Sequence, residues 1–191
     1  MPLYSLVLAG LLRLLGYASW PLLLLHVSFG VLTTFFTYKI AQPLFSRAVA
    51  ALAGLLISLH PYLVKLTMQI IDTGPSVALT TCSMWLFMRA WLDPSYSSRR
   101  YALAGVAFAL ATLVRPVAGV YVVILGLGMF FWFASRRRFR SAVVVAVTLW
   151  LAWSAVVSPW WVRNYLCYGR FIPLTTYGGF NFLKGHTAYY T

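Results

Sequence analysis

Apolar residues follow one another in long blocks along this chain, and polar residues gather in the breaks between them. The blocks run from Leu3 to Leu15, Pro21 to Tyr38, Ala48 to Leu59, Val77 to Met88, Tyr101 to Val114, Val117 to Ala134 and Ala142 to Val157. A helix needs about 20 apolar residues to cross a bilayer. The shorter blocks must therefore borrow flanking polar residues, tilt, or be shielded by neighbours, because unsatisfied backbone is not tolerated against lipid. Tyr101 to Ala134 would make about 51 Å of helix, too long for one crossing of a core about 30 Å thick, so Arg115-Pro116 reads as a turn between two spans. The pattern predicts an all-α, polytopic transmembrane helical bundle of about six spans. It forms a single integral-membrane domain over 1–191, with an interfacial helix at Leu3–Leu15. Residues 158–191 read as an outer-side loop or the start of a further region.

Composition agrees: 62% of residues are hydrophobic and 9% charged, against roughly a quarter charged in soluble domains. The net charge of +13 raises the question of nucleic acid. The basic residues fall at the ends of apolar blocks instead, as the positive-inside rule expects, so nucleic acid is not expected as a partner. If Lys39, Arg47, Arg89, Arg99, Arg100, Arg136, Arg137, Arg138 and Arg140 are cytoplasmic, the loops alternate correctly. Arg13, Lys65, Arg115, Arg163, Arg170 and Lys184 then face outward, and the Trp residues collect mostly near span ends. Two cysteines do not make a disulfide framework. The N-terminus lacks the basic region and cleavage site of a removable signal peptide.

The outward segments carry cations, hydroxyls and amides beside aromatic rings, and polar groups at membrane depth are functional candidates. Lys65, Arg115 and Arg163 could bind one or two phosphates, Arg as a planar fork and Lys as a point charge. Equally, Arg115 and Arg163 could snorkel to headgroups. Asp72, one of two carboxylates in the chain, has two readings. It or Thr73 caps the following helix, with Pro75 in the first turn, or it holds a divalent cation or orients a hydroxyl for reaction. Asp93, before Pro94, reads as a turn residue. His26 lies in an apolar block, His60 at an outer span end and His186 near the C-terminus; without a second matched pair they do not suggest haem. No metal-ligand spacing, Gly-rich phosphate loop or Ser/His/Asp set is visible.

The ordered pieces "PLYSLVLAGLLRLLG", "ISLHPYLVKLTMQIIDTGPSVALTTCSMWLFMRAW", "AGVAFALATLVRPVAGV" and "PWWVRNYLCYGRFIPLTTYGGFNFLKG" resemble the membrane-embedded GT-C glycosyltransferases. The resemblance is to the branch of protein O-mannosyltransferases and lipid A aminoarabinose transferases, and it covers nearly the whole chain. It implies transfer of a sugar from a polyprenyl-phosphate carrier to a glycan, lipid or protein acceptor. It also implies a multi-pass protein of the bacterial cytoplasmic membrane with its active face outward. Asp72 matches a recurring acidic position of that family, Arg115 its Arg-Pro turn, and Arg163-Asn164 its Arg-Asn pair. The implied site is Asp72 as the catalytic carboxylate, with His60, Lys65, Arg115, Arg163 and Asn164 binding substrate. A divalent cation is the one cofactor to consider.

The chain departs from the family where Ile71 precedes Asp72 and where Gly185-His186 stands for Gly-Asn. The family's principal catalytic carboxylate lies upstream of "PLY", where this chain has only Met1. The expectation is a fragment of a larger transferase, with little activity by itself. Two other classes stay open: a small transporter or flippase for an anionic solute, with charges near the midplane of several spans, and a non-catalytic subunit binding an anionic lipid. Arg163→Ala and Arg115→Ala should weaken binding of polyprenyl phosphate, and Arg137→Ala should not.

Overall fold

The computed structural model describes residues 2–17, 19–175 and 183, and among them every regular element is an α-helix. Lys184 and His186 lie outside the described residues. Helix α1 (Pro2–Leu15) starts with Pro at its first position and is followed by Gly16 at φ +72°, a left-handed conformation that ends a helix cheaply. It is followed by α2 (Ser19–Ala41), α3 (Arg47–Ser58), α4 (Pro61–Thr67), α5 (Thr73–Trp91), α6 (Ser98–Val114), α7 (Ala118–Ser135) and α8 (Phe139–Tyr168). Ser46 caps α3 by accepting from the Val49 amide, and Pro61 opens α4 after a 58° bend.

In space the helices follow the order α3, α2, α5, α6, α8, α7, with α7 also touching α6, α4 folded onto α2, and α1 leaning on α2 and α6. Helices α5 and α6 therefore have protein on two sides. Their buried faces carry small and aromatic residues, including Phe87, Ala90, Tyr101, Ala104 and Phe108, which meet Val145 and Leu149 of α8. Gly105 lets α6 and α8 approach so closely that a Cβ there would lie 2.6 Å from the Leu149 carbonyl oxygen. Trp150 and Trp153 on α8 donate to the Val122 carbonyl (3.1 Å) and to Thr112 Oγ1 (3.0 Å), tying α8 to α7 and α6.

Three helices, α2, α7 and α8, are long and apolar enough to cross a membrane, or four spans if the bent α3–α4 pair is counted as one. The expected count was about six. Helices α5 and α6, of 19 and 17 residues, fall short in apolarity or length. Neighbours rather than lipid cover much of them, and their buried hydroxyls bond to their own turns: Ser83 donates to Leu79 O and Thr112 to Phe108 O. Of residues 158–191, read as an outer-side loop or the start of a further region, those as far as Tyr168 continue α8, with Pro159 inside it, and the helix stops at Gly169, whose φ of +64° places its N–H on Tyr165 O.

Candidate functional site

Both carboxylates of the chain are placed at the ends of the α5–α6 hairpin. Asp93, just after α5, is 3.0 Å from Arg100 in the first turn of α6, and accepts from the Ser95 hydroxyl and amide. Asp72, just before α5, is 3.5 Å from Nε of Arg115, which directly follows α6. The two ends differ in finish. At the Asp93 end the basic side chains lie over rings: Arg136 over Trp132 at 4.3 Å, Arg89 over Trp85 at 5.1 Å, Lys39 over Phe35 at 5.5 Å and Arg138 over Tyr96 at 6.0 Å. At the Asp72 end the ion pair is open, with side-chain exposures of 43% for Arg115 and 39% for Asp72.

Asp72 occupies the N-cap position of α5 but in helical backbone conformation, and its side chain makes no capping hydrogen bond. Of the two readings open for Asp72, its side chain does not take up the cap; the carboxylate turns to Arg115 instead. Tyr4 of α1 is close enough to feel the same charge. Burial, with Asp72 adding to it, pushes the Tyr4 phenol above its ordinary pKa, and its hydroxyl lies 2.9 Å from Nε2 of His26. Next to His26, α2, the α3–α4 elbow and the start of α5 line a half-open cavity of about 420 Å³ whose lining includes His26, Gly30, Thr33, Ser58, Thr67 and Gly74.

The other residues named from the sequence stand apart from the pair. His60 and Lys65 are exposed on the N-cap and in the last turn of α4, with no ion pair among the described residues. Arg163 lies ten residues, about 15 Å of helix, beyond Trp153, which is level with Thr112 near the end of α6. Its guanidinium stacks over Trp160 at 4.8 Å and donates to Asn164 Oδ1 at 3.3 Å. Asn164 is buried and donates to Ile172 O, while Trp160 and Trp161 donate to Leu174 O and Pro173 O. Together these side chains clasp the returning segment 172–174 against α8. The amide of Asn164 is thus engaged within the chain.

The structure so distributes the named residues over three places: Asp72 with Arg115, His60 with Lys65, and Arg163 with Asn164. Sequence reasoning noticed His26 only as a histidine in an apolar block, and did not single out Tyr4 or Gly74. No spacing rule links positions 4, 26 and 74; only the way α1 and α5 both meet α2 does. The fit to a divalent cation is poor. Among the described residues no three His, Cys, Asp or Glu side chains gather, and the carboxylate at this end already faces a guanidinium.

The sequence model of the dolichyl-phosphate-mannose-protein mannosyltransferase family matches residues 1–162. The chain belongs to this family. No curated protein and no solved structure matches it. A membrane glycosyltransferase family accords with the apolar α2, α7 and α8. The match takes in the hairpin with its two ion pairs and the whole cavity wall, and ends one residue short of Arg163.

Proposed function

We propose that this chain forms the donor-binding membrane part of a glycosyltransferase that moves a sugar from a polyprenyl-phosphate carrier to an acceptor hydroxyl. In a bacterial cytoplasmic membrane the Asp72 end would face outward, and glycan, lipid or protein acceptors would approach from that side. The observation that carries the reading is the Asp72–Arg115 pair beside a cavity with a largely apolar lining. A carrier has the same two parts, an anionic phosphate joined to a hydrocarbon chain.

In the transfer, the acceptor oxygen bonds to the anomeric carbon, the bond from that carbon to the phosphate oxygen breaks, and the phosphate leaves with the electron pair. Arg115 can use Nε toward Asp72 and keeps other N–H donors for the phosphate as its charge grows. Asp72 holds the guanidinium in place and is the carboxylate at this end available to take the proton of the acceptor hydroxyl. Lys65, His60 and Arg163 lie farther out and suit headgroup or acceptor contacts. The transporter alternative predicts charges near the middle of several spans. The described basic residues instead sit at helix ends, with Arg13, Lys39, Lys65 and Arg89 in last turns.

The test is equilibrium binding of a polyprenyl phosphate to the detergent-solubilised full chain. Arg115→Ala removes a charged hydrogen-bonding group and should weaken binding about tenfold or more. Arg137→Ala, at the other end, should leave it unchanged. Equal affinity of the two variants would refute the assignment.

A further inference from the structure

Most of the hydroxyls lining the cavity beside α5 are used up within their own helices. Thr33 donates to Phe29 O at 2.8 Å, Ser58 to Leu55 O at 2.8 Å and Thr67 to Val64 O at 2.7 Å, each within its own helix. The half-buried Thr34 and the fully buried His26 are the exceptions. His26 is 1% exposed, its Nε2 is taken by Tyr4, and its Nδ1 is buried with no partner. When the Tyr4 O–H donates to Nε2, a neutral imidazole carries its proton on Nδ1. A buried N–H without an acceptor is a rare and costly feature in a folded protein.

What stands opposite that N–H is the start of α5. Gly74 has no side chain there: an atom at the Cβ position would lie 3.7 Å from His26 Nδ1, with no other group within 4 Å apart from its own helix and chain neighbours. Because Asp72 does not cap α5, the Thr73 and Gly74 amides have neither an intrahelical partner nor a side-chain one. A helix start with free amides and a partial positive charge thus adjoins a buried, unpartnered donor. Both line a largely apolar space of about 420 Å³, within the range of small-ligand sites.

We propose that this cavity seats the head of a single-chain lipid, a prenyl phosphate. One phosphate oxygen would accept from His26 Nδ1 and the first turn of α5, and the first isoprenoid units would lie along the α2 and α3–α4 walls. The inference rests on the donor reading above and adds the positioning residues that hold the carrier: His26, oriented by Tyr4, and Gly74, which keeps the seat open. Arg115 pairs with Asp72, two residues before Gly74, and so stands at the same end of α5.

The experiment uses the full chain in detergent with geranylgeranyl phosphate as the probe. His26→Phe keeps an aromatic ring but removes the donor. Gly74→Ala introduces one methyl at an ordinary contact distance of 3.7 Å, so the chain folds while the seat is filled. Each should weaken binding about tenfold, with the Arg137→Ala affinity unchanged. Histidine nitrogen NMR supplies a readout that packing alone would not move: the Nδ1 resonance of His26 should shift when the probe is added. Wild-type affinity in both variants overturns the inference, and if Arg115→Ala still weakens binding, the donor reading stands without it. Failure of the unaltered chain to bind the probe sinks both. Displacement of the probe by equimolar phosphatidylglycerol would overturn the single-chain assignment.

Discussion

Gly105→Ala should loosen the bundle at its closest helix contact. The new Cβ would sit 2.6 Å from Leu149 O, 3.0 Å from Ala152 Cβ and 3.3 Å from Trp153 N, all on α8. Two of these neighbours are backbone atoms and cannot rotate away. Restoring an ordinary 3.4 Å contact to the carbonyl requires 3.4 − 2.6, or 0.8 Å, of separation between α6 and α8. The same movement would stretch the Trp153–Thr112 hydrogen bond from 3.0 Å toward 3.8 Å, past useful geometry. Overpacking of this kind costs about 1–3 kcal/mol and a lost hydrogen bond about 1 more, against a gain of about 1 kcal/mol in helix propensity. The net loss of about 1–3 kcal/mol corresponds to a melting midpoint about 2–12 °C lower for a chain of this size. Thermal unfolding in detergent, followed by tryptophan fluorescence, measures it. Gly128→Ala is the control. Nothing lies within 4 Å of its Cβ position, so the midpoint should stay or rise. A Gly105→Ala protein melting at or above the wild-type midpoint would refute the packing argument.

Asn164→Ala should release the segment that returns along α8: with the Ile172 hydrogen bond gone, trypsin should cut after the exposed Arg170 about five to ten times faster. An unchanged cutting rate would mean that Trp160 and Trp161 hold the segment unaided. The Asp93 carboxyl is held below its ordinary pKa by the Ser95 hydroxyl and amide, with Arg100 adding to them. Its folded-state pKa is depressed, so its contribution is complete above the unfolded value of about 3.9 and is lost as pH falls through the folded one. Protease susceptibility of the α5–α6 loop should therefore be flat from about pH 7 to 5 and rise only below about pH 4. Asp93→Asn should abolish that acid step, and a step centred near pH 6 would point to another group.

The ends of the hairpin were legible before any coordinates. Pro75 and the polar run "DTGPS" mark where α5 begins, and Arg115-Pro116 marks where α6 must stop, so both partners of the ion pair were candidates from their positions alone. That they meet was not legible, since 43 residues separate them and either could have snorkelled to lipid. The number of spans that pass on length and apolarity alone, three or four, is lower than the expected six or so for a related reason. Apolarity shows that a residue avoids water, not whether lipid or another helix covers it, and α5 and α6 are covered largely by α2, α8 and each other. Asn164 shows the reverse limit. This motif position also donates its amide to Ile172 O, a contact that only the folded return of the chain after Gly169 makes possible.

The two ends of the α5–α6 hairpin also explain why chemistry should be sought at one and not the other. At the Asp93 end the ion pair is 3.0 Å long with a carboxylate only 11% exposed, Ser95 bonds it twice, and four cations lie over aromatic rings. The Asp93 carboxylate there is matched within the chain, although the Tyr101 hydroxyl at the same end is buried without a partner. At the Asp72 end the pair is longer and open on both sides, α5 starts uncapped, and the Nδ1 of His26 has no acceptor. Unmatched donors around an apolar space cost stability unless something completes them. What distinguishes the Asp72 end is therefore the combination of an exposed ion pair, an uncapped helix start and a largely apolar cavity beside the unpartnered His26 nitrogen, and that combination is the reason to test binding there first.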